Sequence, residues 1–368
     1  MLQEIAVYIH WPFCKFKCPY CDFNSYVRGS VDQEEWLSHY LDELRYYRSL
    51  LGDRKVVSIF FGGGTPSLME VSTVEAILRE INNLWEVADG AEITLEANPT
   101  SVEAEKFKGF RSAGVNRLSL GVQSLRADDL KALGRQHSVD DAINALKLAR
   151  DVFERYSFDL IYTRQNQSLK DWEDELIEAL QYAGGHMSLY QLTVEEGTPF
   201  NKLLQKGEII LPDEENSIAM YELTQEIMEK HNLPCYEVSN YATAGQESRH
   251  NLVYWNYGDY IGIGAGAHGR ITIDGQKLAI SDHKVPEDWK NGRGMVEVLI
   301  DEEKLREELM MGLRLVKGIK WRDEFLKVIN KAKLDILIAE NLVVVDNGII
   351  KTTKQGMQKL NAVLAYMF

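Results

Sequence analysis

Apolar residues along the first half of the chain follow two alternating spacings. Short runs rich in β-branched and aromatic residues predict strands at residues 5–10, 56–61, 92–96, 117–121, 158–162 and 187–192. Between these runs apolar residues recur at helical spacing, which predicts helices at 32–51, 71–84, 101–113, 139–150 and 169–183. Six strand–helix units in series indicate an α/β fold built on a parallel sheet.

The first predicted helix shows how the pattern defines an element. Its apolar stripe includes Trp36, Tyr40 and Leu44. Ser30 and Gln33 have the spacing of a capping box, and Gly52 is suited to end the helix.

Glycines and polar residues directly follow most of the predicted strands. In barrels of alternating strands and helices, binding and catalytic residues lie at this end of the strands. We therefore predict a partial (β/α)6 barrel rather than an open Rossmann-type sheet.

The second half of the chain has a different pattern. We predict a long helix at 212–231, and then an irregular stretch at 234–294, rich in Asn, Gly and Tyr, that packs across the barrel mouth. A helix at 301–316, two helical stretches, a hairpin at Asn347-Gly348 and a last helix from Thr353 indicate a small winged-helix-like domain. The expected division is a barrel domain, 1–294, and a C-terminal domain, 295–368.

Net charge argues against a nucleic-acid partner. The 368 residues contain 41 Lys and Arg against 56 Asp and Glu, a formal net charge of −15. Residues 295–368 contain 12 basic and 11 acidic side chains, a net charge of +1. Because DNA binding needs a basic face, we expect the C-terminal domain to serve in packing or in binding a protein partner.

Hydropathy and cysteine content predict the cellular setting. No apolar run reaches the roughly 18 residues that cross a bilayer, and we expect no leader before the first strand. We therefore expect a protein that is not an integral membrane protein. A peripheral membrane partner is compatible with this expectation. Unpaired thiols are typical of a reducing cytoplasm, which is the predicted location.

Three of the four cysteines lie in one short loop. Cys14, Cys18 and Cys21 have the spacing Cys-x3-Cys-x2-Cys. Three thiolates this close can bind three irons of a [4Fe–4S] cluster and leave the fourth iron open to a small molecule. A three-cysteine zinc site and a loop without metal remain as alternatives, although no histidine follows at zinc-finger spacing.

Further candidate ligand-binding residues lie at or near the ends of successive strands. Glycine runs let a backbone approach a ligand closely, and a carboxylate within an apolar strand needs a partner or a ligand. Because these strand ends meet on one face of a barrel, we expect the side chains to converge. The candidates are Gly63, Gly64, Thr65, Glu96, Gln123, Arg135 and Asp159.

The cysteine spacing resembles the signature of the radical S-adenosylmethionine (SAM) superfamily. There the open iron binds the amino and carboxylate groups of SAM, and one electron cleaves SAM to a 5′-deoxyadenosyl radical. Segments across residues 5–270, and the run at 309–314, resemble oxygen-independent coproporphyrinogen III dehydrogenases and their relatives, the HemW heme chaperones. The resemblance implies cluster ligation by Cys14, Cys18 and Cys21. It implies SAM contacts at Tyr8, Tyr20, Gly63, Gly64, Thr65, Glu96, Gln123, Arg135 and Asp159.

Two features separate these relatives from one another. The dehydrogenases carry a further cysteine where this chain has Phe23, and they carry a longer N-terminal extension. Both features favour the chaperones. The run from His250 to Trp255 matches a His-Asn-x-x-Tyr-Trp element associated with heme binding in HemW, which implies His250 as a heme ligand, with His268 as a second candidate.

One segment departs from the family pattern. After the strand that contains Asp159, the family has Gly-Leu-Pro-Gly-Gln, whereas residues 163–167 here read Thr-Arg-Gln-Asn-Gln. We expect the larger side chains to alter the loop over the site, which leaves productive cleavage of SAM an open question.

The resemblance therefore implies a heme chaperone that holds a [4Fe–4S] cluster and SAM. It would bind heme and pass it to acceptor hemoproteins such as respiratory cytochromes. The alternative is an enzyme of porphyrin biosynthesis that oxidatively decarboxylates coproporphyrinogen III.

Overall fold

The computed structural model describes residues 2–368 as a large mixed sheet flanked by helices, followed by a smaller helical unit with its own sheet. The strands are β1 (Glu4–Trp11), β2 (Phe13–Cys14), β3 (Tyr26–Val27), β4 (Lys55–Gly63), β5 (Glu86–Ala97), β6 (Arg117–Gln123), β7 (Arg155–Tyr162), β8 (His186–Gln191), β9 (Cys235–Glu237), β10 (Asn240–Ala242), β11 (Tyr260–Ile263), β12 (His268–Ile273), β13 (Gln276–Ser281), β14 (Met295–Val298), β15 (Ile319–Lys320), β16 (Val343–Asp346) and β17 (Ile349–Thr352).

The helices match most of the predicted ones. They are α1 (Gln33–Leu51), α2 (Val71–Leu84), α3 (Ser101–Ala104), α4 (Phe107–Ala113), α5 (Ala127–Ala132), α6 (Val139–Val152), α7 (Leu169–Leu180), α8 (Pro199–Gln205), α9 (Glu214–Lys230), α10 (Arg249–Trp255), α11 (Pro286–Asn291), α12 (Asp301–Gly312), α13 (Lys331–Ala339), α14 (Lys354–Gln358) and α15 (Leu360–Met367). Short 3₁₀ turns lie at Pro66–Leu68 and Asp323–Lys327.

The predicted parallel sheet is confirmed. The large sheet has twelve strands in the order β14-β13-β12-β11-β1-β4-β5-β6-β7-β8-β10-β9. The six predicted strands, β1 and β4 to β8, pair side by side and in parallel. The parallel strands β1 and β4 to β8 are neighbours in chain order, as in a barrel, and the order ends at β14 and β9 without closing. The sheet is therefore a partial barrel whose parallel strands all end on one side.

The prediction for residues 234–294 is wrong. This stretch forms five strands and two helices instead of an irregular segment across the barrel mouth. β11 adds to the parallel set beside β1, β12 and β13 continue that edge, and β10 and β9 extend the opposite edge. β9, β10 and β11 are only three or four residues long, which is too short for an apolar periodicity to appear.

The start of α1 also differs from the prediction. Asp32, rather than Ser30, caps the helix, because its carboxylate accepts the backbone N–H groups of Glu34 and Glu35 at 3.1 and 3.0 Å. Gly52 ends the helix at φ +64°, as expected. The single helix predicted at 101–113 is divided into α3 and α4.

The C-terminal unit has a core of its own, formed by apolar residues between Leu305 and Met367. β16 and β17 form the predicted hairpin, and Asn347 and Gly348 have φ values of 51° and 73°, as a two-residue turn of type I′ requires. β14, which follows the proposed boundary at residue 294, pairs with β13 in the large sheet. Within residues 2–368, no helix combines the length and apolar character needed to cross a bilayer.

Candidate functional site

The cysteine loop is closed by hydrogen bonds of the protein itself. Phe13 and Cys14 pair with Tyr26 and Val27, so β2 and β3 bring the two ends of the loop together. Arg28 N–H donates to the Cys14 carbonyl at 3.2 Å. The loop that carries the three thiols is therefore held together at its two ends by backbone pairing.

His10 connects this loop to strand β1. Its Nε2 lies 3.0 Å from the carbonyl oxygen of Asn24, and its Nδ1 lies 3.0 Å from the Tyr8 hydroxyl. Because a carbonyl can only accept, Nε2 carries the proton and Nδ1 accepts from Tyr8. Burial lowers the pKa of His10, which favours this neutral form.

The loop and the strand ends enclose a cavity of about 430 Å³. The structure brings eleven of the predicted residues together around it: Cys14, Cys18, Tyr20, Cys21, Gly63, Gly64, Thr65, Glu96, Gln123, Arg135 and Asp159. Tyr8 and His250 do not line it. The seven residues expected to converge therefore all line the cavity, whereas Tyr8 and His250, which the family resemblance implies, lie outside it.

The glycine run is required by close packing against the cysteine strand. A Cβ on Gly64 would lie 2.6 Å from the Phe13 carbonyl oxygen, and a Cβ on Gly63 would lie 2.7 Å from the His10 ring. Gly63 also has φ +114°, and its N–H donates to Glu96 at 3.2 Å. The run therefore lets β4 approach the cysteine loop, a role that the sequence did not distinguish from contact with a ligand.

Two carboxyl groups face the cavity interior. Burial raises the pKa of Glu96 to about 8, and the nearby charge of Asp159 adds to the effect. Burial also raises the pKa of Asp159 to about 6, while the nearby Ser188 hydroxyl opposes the shift. The pair can accept hydrogen bonds from hydroxyl or ammonium groups of a ligand.

Arg135 crosses the site between the cysteine loop and the strand ends. Its guanidinium donates to Asn98 Oδ1 at 2.6 Å and to the Gly121 carbonyl at 2.7 Å, and it lies 3.5 Å from Cys18 Sγ. Within residues 2–368, Arg135 Nε and the buried Gln123 Oε1 have no hydrogen-bond partner. Such unpaired polar atoms leave the cavity able to bind a polar ligand.

The donor set fits an iron–sulfur cluster, because the thiols of Cys14, Cys18 and Cys21 line one cavity. Across residues 2–368, no three His, Cys, Asp or Glu side chains converge on a point that would hold one ion. A cluster binds each thiolate through a different iron, so the thiols need only face one space. Burial raises the pKa values of the Cys14 and Cys21 thiols, and bound iron would favour their deprotonation.

His250 lies in α10, outside this cavity, and is almost completely buried. Its Nδ1 is 3.0 Å from Ser58 Oγ, and its Nε2 is 2.7 Å from the Tyr254 hydroxyl. Its ring stacks on Phe60 with centroids 5.0 Å apart, and burial lowers its pKa to about 3. Ligation of heme iron by His250 would require breaking one of these hydrogen bonds.

The segment 163–167 does not line the cavity. Arg164 points inward to an ion pair with Asp129 at 2.7 Å and a second ion pair with Glu175. Thr163 and Asn166 both have φ +58°, at the two positions where the family pattern has glycine. The altered side chains thus form an internal network next to the site rather than a new cavity wall.

Sequence reasoning missed several residues that line the cavity, and two of them, Asn98 and Tyr190, lie at or next to strand ends. Asn98 donates to Thr65 and accepts from Arg135, and Tyr190 lies at the end of β8. Asn98 follows Glu96 by two residues at the same strand end, and that spacing was the signal available in the sequence.

Comparisons with known proteins identify the family. Residues 8–179 match the Radical SAM superfamily, and residues 299–358 match the HemN C-terminal domain. The heme chaperone HemW of Buchnera aphidicola is 37% identical over 99% of this chain and 98% of its own length. HemW of Escherichia coli is 39% identical over 79% of this chain and 77% of its own length.

A solved structure shows the same fold. Coproporphyrinogen III oxidase (HemN) from Escherichia coli, described as a radical SAM enzyme, superposes with a TM-score of 0.83 at 18% identity, covering 99% of this chain and 90% of that one. This likeness concerns the fold alone. Given its nearly full-length similarity to the chaperones, the chain belongs to the HemW family of the radical SAM superfamily.

Proposed function

We propose that this protein is a heme chaperone that holds a [4Fe–4S] cluster and SAM, binds heme and transfers it to acceptor hemoproteins. The observation that carries the proposal is the cavity into which three cysteines and eight further predicted residues converge. The relatives named as heme chaperones support the choice of activity.

The residues of the cavity have distinct proposed roles. Cys14, Cys18 and Cys21 would hold the cluster, which supplies single electrons when bound. Glu96 and Asp159 would accept hydrogen bonds from ribose hydroxyls or the ammonium of SAM, and Gln123 Oε1 offers a further acceptor. Arg135 would be a partner for the SAM carboxylate.

Phe23 supports heme transfer over oxidative decarboxylation. It occupies the position where the dehydrogenases have a further cysteine, and it is exposed at the cavity. We propose a cytoplasmic location, because free thiols and an iron–sulfur cluster are stable under reducing conditions. Respiratory cytochromes are the proposed acceptors, reached through a peripheral membrane partner.

The cluster and SAM assignments are tested by anaerobic reconstitution. We expect about four irons and four sulfides per chain, together with SAM binding by equilibrium dialysis. Cys14→Ser should lose the cluster, whereas Cys235→Ser, which changes a partly buried thiol far along the chain, should retain it. Equal iron content in both variants would contradict the assignment.

The chaperone activity is tested on the same reconstituted sample. We expect it to bind heme and to transfer heme to an apo-cytochrome, without converting coproporphyrinogen III. Formation of protoporphyrinogen without stable heme binding would replace the proposal with the enzyme alternative. A His250→Ala variant that keeps the heme affinity and spectrum of the wild type would remove His250 as the ligand.

A further inference from the structure

Phe16 and Phe23 are large apolar side chains left open to solvent beside the cysteine loop. Their exposed fractions are 59% and 60%, whereas Phe13 in the same region is buried at 1%. Both line the candidate cavity. Among the phenylalanines within residues 2–368, these two are the exposed ones. Single exposed apolar residues are common, but two aromatic rings on one cavity are typical of a binding surface.

Basic side chains alternate with these aromatic rings. Lys15 and Lys17 flank Phe16, and both line the same cavity. Residues 14–28 contain three basic side chains and one acidic one, within a chain of net charge −15. The cavity as a whole has more acidic lining residues (Asp22, Glu96, Glu103, Asp159 and Glu195) than basic ones, so Lys15 and Lys17 are the local positive charges with which negative groups of a ligand would pair.

The backbone around Phe23 is held in place. Lys17 Nζ donates to the carbonyl oxygens of Phe23 and Ser25, each at 3.2 Å. The nearby Asn24 side chain donates to the carbonyls of Ala265 and Lys284 at 2.9 and 3.0 Å. A ring carried on a fixed backbone loses little conformational freedom when a ligand packs against it.

We infer that Phe16, Phe23, Lys15 and Lys17, here called the aromatic rim, form the docking site for a planar tetrapyrrole that carries carboxylate groups. This inference rests on the proposed function and specifies where heme would bind. The tetrapyrrole face packs on the two phenyl rings, and its carboxylates face the lysines. The cavity interior, with Glu96 and Asp159, stays free for SAM.

The aromatic rim differs from the His250 site in what it requires of the ligand. His250 can bind heme only through the heme iron, and only after it loses its hydrogen bond with Ser58 or with Tyr254. The rim needs no metal, because packing on phenyl rings and pairing with lysines involve only the porphyrin itself. Lys17 Nζ donates to two carbonyl groups and keeps one N–H for a carboxylate. Metal-free protoporphyrin IX therefore separates the two sites.

The experiment titrates metal-free protoporphyrin IX and heme into cluster-loaded wild-type protein and follows porphyrin fluorescence anisotropy and heme absorbance. We expect the wild type to bind both. The double variant Phe16→Ser/Phe23→Ser should bind each at least tenfold more weakly, and Lys15→Glu/Lys17→Glu should weaken both as well. Met295→Ser, which changes an apolar side chain that is 74% exposed on β14, should have no effect.

A conservative double variant distinguishes loss of the phenyl rings from damage to the cysteine loop. Phe16→Tyr/Phe23→Tyr keeps both rings and should keep porphyrin affinity, and iron and sulfide content are measured for every variant. Unchanged affinity in the serine pair at normal cluster content would overturn the inference, as would wild-type protein that binds heme but not the metal-free porphyrin. Failure of the wild type to bind heme would instead overturn the proposed function.

Discussion

At the scale of single residues, burial decides what a side chain can do. Glu96 is a carboxyl group whose pKa burial raises to about 8, so near neutral pH much of it carries a proton. His250 is an imidazole whose pKa burial lowers to about 3, so it stays neutral under the same conditions. In both groups burial favours the uncharged form, which is the protonated carboxyl of Glu96 and the deprotonated imidazole of His250.

Glu96→Gln should change how stability depends on pH. A folded pKa above the unfolded value near 4.3 means that folding favours the protonated carboxyl. The contribution of the Glu96 carboxyl to the stability of the fold is therefore complete below the unfolded pKa, and it is lost as the pH rises through the folded pKa of about 8. Without ligand, Glu96→Gln should therefore be more stable than the wild type at pH 8, by on the order of 1 kcal/mol or more, and similar to it near pH 4.

Urea denaturation across this pH range measures that difference. Glu154→Gln, which changes an exposed carboxylate, serves as the matched control and should follow the wild type. Parallel pH curves for Glu96→Gln and the wild type would contradict the assigned pKa.

His250→Ala should destabilise the fold by about 2–4 kcal/mol, because it leaves a cavity and two unpaired hydroxyl groups. His283→Ala, at an exposed histidine, should cost less than about 0.5 kcal/mol. Thermal and urea unfolding measure both variants. A stable His250→Ala protein would show that the hydrogen bonds to Ser58 and Tyr254 contribute little.

At the scale of elements, the turn after β7 is held by a buried charge network. Arg164 and Glu175 have side chains only 3% and 0% exposed, and Glu175 also accepts hydrogen bonds from Ser124 Oγ and the Leu125 N–H at 2.6 and 2.7 Å. Asp129 supplies a second carboxylate from α5. This network joins α5, α7 and β7, and it begins one residue after Gln123 at the cavity.

Arg164→Ala should cost about 3–5 kcal/mol, because it leaves the Glu175 carboxylate buried without a cation. Adding Glu175→Gln should recover a large part of this loss, since the amide oxygen still accepts from Ser124 and Leu125. A double-mutant cycle by urea denaturation measures the coupling. Additive losses would show that the two side chains act independently.

The sequence predicted the elements best where apolar residues recur over many turns. The six parallel strands and α2 were predicted well, because their burial imposes a period on the sequence. The short strands at residues 235–263 and the division of α3 from α4 were missed, since pairing partners distant in sequence determine them. At the site, strand-end position predicted the convergence of Glu96, Gln123 and Asp159. The hydrogen bond between His250 and Ser58 joins residues that are 192 positions apart, and no local pattern reveals it.

At the scale of the whole molecule, polar and apolar contacts attach the C-terminal unit to the partial barrel, and Val238 of the barrel domain packs against the C-terminal core. Glu307 in α12 accepts from Arg270 through distances of 2.8 to 3.2 Å and from the Tyr257 hydroxyl at 2.8 Å. A backbone bond from Val316 N–H to the Tyr236 carbonyl at 3.1 Å adds a second point of attachment. The two hydrophobic cores remain separate clusters on either side of these contacts.

Glu307→Ala should weaken the interaction between the C-terminal unit and the partial barrel by about 1–2 kcal/mol, without unfolding either hydrophobic core. We expect faster tryptic cleavage near Arg293 and Lys304, where the chain passes between the two units, with the overall unfolding midpoint little changed. Glu302→Ala, at an exposed position on the same helix, is the control. Equal cleavage rates for the two variants would contradict a holding role for Glu307.

The β2–β3 pairing that joins the two ends of the cysteine loop affects how the protein responds to oxygen. Since β2–β3 pairing and the His10–Asn24 bond involve only protein groups, we expect the loop to keep its shape when metal is lost, unlike a zinc finger, whose folding depends on its ion. Circular dichroism before and after chelation should be nearly the same, and iron and sulfide should restore the original spectrum. A molecule stripped of its cluster by oxidation would then stay folded and be ready for repair, rather than becoming a substrate for proteases.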